Sequence, residues 1–266
     1  MMTLSMLQIP GAAILRCTEA SKSYRESGYL GDPEFFGTSV AILVGDLALV
    51  YAEDMFQDSG LSAAALHRAR NAWRGMRTEV IGGQLLDISL EAAGSESVEL
   101  ANSVNRYKTA AYTIERPLHL GASIAGASEE LIAAFRGYGQ DIGIAYQLRD
   151  DQLGVFGDPA VTGKPAGDDL REGKRTELLA LALRRADESD PQAAATLRKL
   201  IGHTSDPQEL SRLAQIIADS GAPEEIERRI ASLTQSGLQH LRAARVDPAV
   251  TETLEQLAIK ATARHK

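Results

Sequence analysis

The stretch Tyr146-Gln147-Leu148-Arg149-Asp150-Asp151 closes a long apolar run with two adjacent carboxylates. It continues through Gly154-Val155-Phe156-Gly157-Asp158 into Gly163-Lys164-Pro165-Ala166-Gly167-Asp168-Asp169-Leu170-Arg171-Glu172-Gly173-Lys174. A fold that half-buries paired carboxylates must bring cations to them, because their desolvation is otherwise uncompensated. The two lysines of this glycine-punctuated segment can do part of that. A hard divalent metal and a phosphorylated substrate would complete the charge balance.

The rest of the chain reads as helix. Ala and Leu, the strongest helix formers, dominate, and aromatic residues make up only 5%. No alternation of apolar and polar residues persists long enough for a strand. Residues 36–56 predict a long helix whose Ile42, Leu43, Leu47, Leu49 and Val50 cover much of its circumference, which implies a central position. Asp46 lies inside that surface, as a hydrogen-bonded core group or a functional one.

Residues 61–91 predict a second helix with Trp73, Met76, Val80, Leu85 and Ile88 turned inward. Gly82 and Gly83 each weaken it by roughly 1 kcal/mol, which makes sense where another backbone or a ligand approaches closely. Gln84 and Asp87 are three apart and share a face. A third helix over 102–127 carries Lys108, whose charge needs a partner unless it snorkels to solvent, and Pro117 should end or kink it. The fourth, 129–156, has Gly137, Gly139 and Gly143 suited to close helix packing, and places Gln147 beside both Asp150 and Asp151. Further helices are expected at 176–189, with a leucine stripe, and at 191–202, 206–220, 222–243 and 248–264. The expectation is an all-α single domain spanning residues 1–266. Residues 1–15 are uncharged and aperiodic, as a frayed start would be, and a polar stretch follows up to a helix start at Asp32-Pro33.

Several functions are excluded or disfavoured. A net charge of −8 argues against general affinity for nucleic acid. Cys17 is the only cysteine, so no intramolecular disulfide can form, which fits a reducing cytosol. The apolar run 39–52 is interrupted by Asp46 and falls short of the ~18–20 residues of a membrane span, so a soluble cytoplasmic protein is expected. His-x-x-x-His and Cys-x-x-Cys spacings are absent, which disfavours zinc. So are the Gly-x-x-x-x-Gly-Lys-Ser/Thr loop and the Gly-x-Ser-x-Gly elbow. Paired carboxylates on a helix suit magnesium, which keeps waters and bridges to substrate phosphates.

Gln147, the Asp150-Asp151 pair, Gly163-Lys164, Asp168-Asp169-Leu170 and Gly173-Lys174 together resemble the second aspartate-rich region of the trans-isoprenyl diphosphate synthases, the polyprenyl synthetase family. The similarity continues upstream through Gly45-Asp46, Gly83-Gln84-x-x-Asp87 and Lys108-Thr109, and covers roughly residues 20–260. It looks closest to actinobacterial geranylgeranyl-type synthases. The resemblance implies a bundle of long helices around an apolar cavity, usually dimeric. The implied reaction joins an allylic diphosphate to isopentenyl diphosphate through metal-assisted loss of diphosphate.

By resemblance, Asp150 and Asp151 would bind Mg2+ and, with Lys108, form the catalytic set. Lys108, Thr109, Gln147, Lys164 and Lys174 would hold the allylic diphosphate, and Asp46, Gln84 and Asp87 would line or support the cavity. Two departures stand out. Gly154 replaces the third aspartate of the motif. The first Asp-Asp-x-x-Asp motif would fall near residues 1–7, where the chain has Met1-Met2-Thr3-Leu4-Ser5-Met6-Leu7. The expectation is a family member lacking its first helices, with little elongation activity of its own. The alternatives are a partner subunit pairing as a homodimer or with an intact homologue, a truncated gene product, and a terpene cyclase.

Overall fold

The computed structural model describes residues 9–158, 167–244 and 246–263, with side chains from residue 18 onward. All regular structure among these residues is helical. The contacts divide into two compact units, Met1–Ala63 and Ala64–Lys266.

The first unit is a helical hairpin of α1 (Ile9–Glu26) and α2 (Pro33–Gln57). The helix over Ile9–Glu26 was not expected. Its lack of a strong apolar period did not prevent helix formation, because Ala, Leu, Glu and Lys make up much of it and α2 packs along one side. Residues 1–8 lie outside the described residues. As expected, α2 begins at Asp32-Pro33. Asp32 caps it by accepting from the Glu34 N–H at 2.9 Å, and Pro33 sits where a missing N–H costs nothing. The turn is closed by Ser21 Oγ donating to the Pro33 carbonyl at 2.8 Å and by the clustered rings of Tyr24, Tyr29 and Phe36.

The expectation of a buried α2 is not met. Only Gly37 is buried, and Ile42, Leu43, Leu47, Leu49 and Val50 are exposed, Leu43 to 66%. The reason is geometric: in this unit one neighbouring helix can cover only one side of an all-round apolar surface. Asp46 is likewise exposed rather than a core group. At 25 residues, α2 extends beyond the apolar run on both sides and is long and apolar enough by length and composition to cross a membrane.

The second unit opens with α3 (Ala63–Ala93). Its buried face is a stripe of mostly small residues, Ala65, Ala69, Ala72, Val80, Gly83, Asp87 and Leu90. Leu85 and Ile88, expected inside, are 65% and 53% exposed. Leu85 lies two positions past Gly83, about 200° around the helix, so a face that buries Gly83 turns Leu85 out. Trp73 and Met76 are half-buried.

The helix expected at 102–127 is three contiguous pieces: α4 (Val98–Val104), a π-helix (Asn105–Glu115) and α5 (Arg116–Ala125). Pro117 falls in the first turn of α5, where it neither ends nor breaks the run. Next come α6 (Glu129–Phe156), α7 (Asp168–Glu172), α8 (Glu177–Ser189), α9 (Pro191–Leu200), α10 (Pro207–Asp219), α11 (Ala222–Ala243) and α12 (Pro248–Thr262). The central α6 packs along the π-helix on one side and α11 on another. Its Ile144 and Leu148 join Leu178, Leu183, Leu197, Leu213, Ile217 and Ile226 in the main core, so the predicted leucine stripe of α8 is buried. Each fully buried Leu or Ile contributes ~1.5–3 kcal/mol of transfer free energy.

Candidate active site

The site is assembled where α3, the π-helix, α6 and the segment around α7 meet. Three glycines bring the backbones together. A β-carbon at Gly83 of α3 would collide with the backbone of Lys108, and one at Gly139 or Gly143 of α6 with the backbone of Glu115 or Ala110. The π-helix is pinned at both ends by Glu115, buried and paired with Arg106, nine residues earlier, and with Arg136 at 2.9 Å. Burial alone would raise the Glu115 carboxyl, but Arg106 and Arg136 outweigh it and hold it low.

Adjacent residues of the π-helix thus reach different neighbours. Lys108 Nζ pairs with Asp87 Oδ2 of α3. Thr109 Oγ1 donates to Gln147 Oε1 of α6 at 2.8 Å. Gln147 Nε2 donates to Asp151 Oδ1 at 2.8 Å, and Lys174 Nζ reaches the same oxygen at 2.7 Å. The i, i+4 spacing on α6 makes the Gln147–Asp151 contact, as the sequence implied. Asp151 is buried and Asp150 half-buried.

Asp169 of α7 completes this cluster. Its Oδ2 lies 3.4 Å from Lys174 Nζ, and its carboxylate fills the space that a β-carbon at Gly154 would need. Burial pushes the Asp169 carboxyl up to about 6, with Asp151 and Asp150 adding to the rise and Lys174 opposing it. Burial pulls the Lys174 ammonium down, but Asp151 and Asp169 outweigh it and leave it well above its ordinary range.

Of the residues singled out in the sequence, the structure brings together Asp87, Lys108, Thr109, Gln147, Asp150, Asp151 and Lys174. Gln84 is half-buried on α3, its side-chain oxygen sequestered without a hydrogen-bond partner among the described residues. Asp46 belongs to the other unit and is exposed. Lys164 lies outside the described residues.

Three acidic groups were missed. Asp169 belongs to the Asp168-Asp169-Leu170 motif, and no sequence signal pairs it with Gly154, fifteen residues earlier. Glu91, four residues after Asp87, could have been found from helical spacing. Burial, then Asp87, raises its carboxyl, against Lys108 and Lys174. Glu177 is fully buried against Arg229, and burial pushes it up to about 7.

The donor set is hard oxygen. No group of three or more His, Cys, Asp or Glu side chains converges on one point among the described residues. Magnesium, however, binds through one or two carboxylates plus waters and substrate phosphates, so Asp150 and Asp151 fit it. The cation between Asp151 and Asp169 is at present the lysine ammonium.

Comparison with known proteins agrees with this arrangement. The family model described as polyprenyl synthetase matches residues 30–219. The geranylfarnesyl diphosphate synthase of Aeropyrum pernix is 39% identical over 57% of this chain and 48% of its own. A (2E,6E)-farnesyl diphosphate synthase of Mycobacterium tuberculosis is 36% identical over 53% of this chain and 38% of its own. The matched stretches thus span about half or less of these relatives' length. A crystal structure of geranylgeranyl pyrophosphate synthase from Corynebacterium glutamicum, complexed with isoprenyl diphosphate and magnesium, is 61% identical with a TM-score of 0.90. It covers 94% of this chain and 70% of that one. The all-α fold agrees with the family match over residues 30–219, and the chain belongs to the polyprenyl synthetase family.

Proposed function

We propose that this chain is a prenyltransferase subunit whose described site binds the diphosphate of an allylic substrate for head-to-tail condensation with isopentenyl diphosphate. The observation that carries this reading is the Thr109–Gln147–Asp151–Lys174 chain of hydrogen bonds, with Lys108 held beside it by Asp87. It concentrates carboxylates that can take a divalent cation and ammonium groups that can take the phosphate oxygens. Departure of diphosphate from an allylic carbon develops negative charge on the bridging oxygen, and cations already in place stabilise it without reorganisation.

Asp150 and Asp151 would hold Mg2+, which when bound neutralises the leaving diphosphate. Lys108 and Lys174 would exchange their aspartate partners for phosphate oxygens, and Lys164 would add a third positive charge. Asp87 holds Lys108 in place until then. Gln84 supports the α3 side of the site.

Magnesium-dependent binding of farnesyl diphosphate, followed by calorimetry, tests the reading. Binding that needs magnesium and is lost in Asp150→Asn with Asp151→Asn is expected, and binding indifferent to both would overturn it. Turnover of labelled isopentenyl diphosphate with farnesyl diphosphate and magnesium tests the condensation itself.

A second reading concerns assembly. The exposed apolar side chains of α2 would be covered in a cytoplasmic homodimer, or in a heterodimer with a longer homologue. Sedimentation of the chain with and without Leu43→Glu tests this: a dimer that the substitution dissociates is expected, and detergent-dependent solubility would contradict it.

A further inference from the structure

We infer that Thr109 is a positioning residue that acts through Gln147 on Asp151 rather than a direct ligand of the diphosphate; this rests on the proposed metal and diphosphate site. Asp151 is buried, and an ionised carboxylate can only accept hydrogen bonds. Gln147 therefore turns its amide nitrogen toward Asp151 Oδ1, 2.8 Å away, and its amide oxygen the other way. An amide oxygen can also only accept, so the Thr109 hydroxyl, 2.8 Å from it, must donate. The donors run in one direction, from Thr109 to Gln147 to Asp151.

A hydroxyl has one proton, and Thr109 has committed it. Diphosphate oxygens are acceptors, so Thr109 has nothing to offer them while this order holds. Gln147 differs: its amide nitrogen carries two protons, one on Asp151 and one still available to a ligand. The two residues that resemblance treats alike are thereby separated into one that can meet substrate and one that cannot.

The backbone explains why so short a side chain suffices. Because Gly139 and Gly143 let α6 lie directly against the π-helix, a hydroxyl one carbon from the backbone spans the gap to Gln147. The Arg106–Glu115 pair brackets Thr109 in sequence, joining the first and last turns of the π-helix.

The test uses Thr109→Val, which keeps the shape and removes the proton, and Thr109→Ser, which keeps the proton. The side-chain amide resonances of Gln147 are followed in chain labelled with 15N-glutamine and assigned with Gln147→Met. Mn2+ affinity is measured by electron paramagnetic resonance without diphosphate, and pyrophosphate affinity at saturating magnesium by calorimetry. Thr109→Val should shift the Gln147 amide pair and weaken Mn2+ roughly fivefold, the size of one neutral hydrogen bond. Pyrophosphate should stay within about twofold, and Thr109→Ser should restore all three. An unmoved Gln147 resonance with a tenfold or larger loss of pyrophosphate affinity would make Thr109 a direct ligand and overturn the inference. If instead Asp151→Asn leaves Mn2+ affinity unchanged, the metal reading fails, and the Gln147 resonance alone decides the role of Thr109.

Discussion

The carboxylate of Asp169 lies against the α-carbon of Gly154, in the volume a β-carbon at position 154 would occupy. Gly154 belongs to α6 and Asp169 to α7. Gly154→Ala should therefore displace Asp169 and cost about 1–3 kcal/mol, the usual scale for a forced overpacking. In the double variant Gly154→Ala with Asp169→Ala, the clash is gone. Urea unfolding of the four chains should show the double substitution to be less damaging than the sum of the singles, by about 1 kcal/mol or more. Strict additivity would mean that the two groups do not touch.

Neighbouring glycines of α3 should respond with opposite signs. Gly82 has open space around it, so Gly82→Ala should stabilise the helix by about 1 kcal/mol through propensity alone. Gly83 faces the Lys108 backbone, so Gly83→Ala should destabilise by about 1–3 kcal/mol and disturb the Lys108–Asp87 pair. Thermal melts of the two variants decide the matter. Equal effects would count against the close approach.

Asp87 is buried, whereas Lys108 is about a quarter exposed. Lys108→Met should leave the carboxylate desolvated and unpaired, costing about 2 kcal/mol, less than the 3–5 typical of a fully buried pair because solvent reaches Lys108. Asp87→Asn in the same chain should recover much of the loss. If the double variant is as unstable as Lys108→Met alone, the destabilisation comes from lost packing and not from the stranded charge.

Glu177 gives a pH dependence. Burial is the main cause of its rise from an ordinary 4.5 to about 7, with Asp151 adding to it and Arg229 opposing. The folded chain therefore holds this proton more tightly than the unfolded one. The stability so gained is complete below about pH 4.5 and is lost as pH rises through about 7. Between pH 5 and 8 the native chain should lose roughly 2–3 kcal/mol more than Glu177→Gln does, read as the difference between their urea midpoints at the two pH values. Parallel pH profiles would refute the assignment.

Much of the architecture is legible in local chemistry. Asp32-Pro33, Asp190-Pro191, Asp206-Pro207 and Asp247-Pro248 each pair an N-cap acceptor with a proline in the first turn, and each starts a helix. The i, i+4 contact of Gln147 with Asp151 follows from the same periodicity. The π-helix does not, because side-chain patterns do not distinguish i→i+5 from i→i+4 hydrogen bonding. Leu85 and Ile88 look inward by hydrophobicity and are turned out by register, since the buried stripe of α3 is built of small residues. Asp169 against Gly154 and Glu177 against Arg229 are through-space pairs, so only the folded chain reveals them.

Lys174 stands between Asp151 and Asp169, 2.7 and 3.4 Å from their oxygens, so its ammonium already has two carboxylate partners. A cation that claims the Asp151 oxygen held by Lys174, or an anion that claims the ammonium, must break one of these pairs. A divalent cation that claims Asp151 sets the ammonium free, and a diphosphate that claims the ammonium sets the carboxylates free. Each ligand should bind weakly alone, and each should tighten the other by the same factor, as thermodynamic reciprocity requires. Titrating magnesium with and without pyrophosphate, and the reverse, measures both factors. On the proposed reading, the lysine would make the site an AND gate, which favours metal and anion as a pair over either alone.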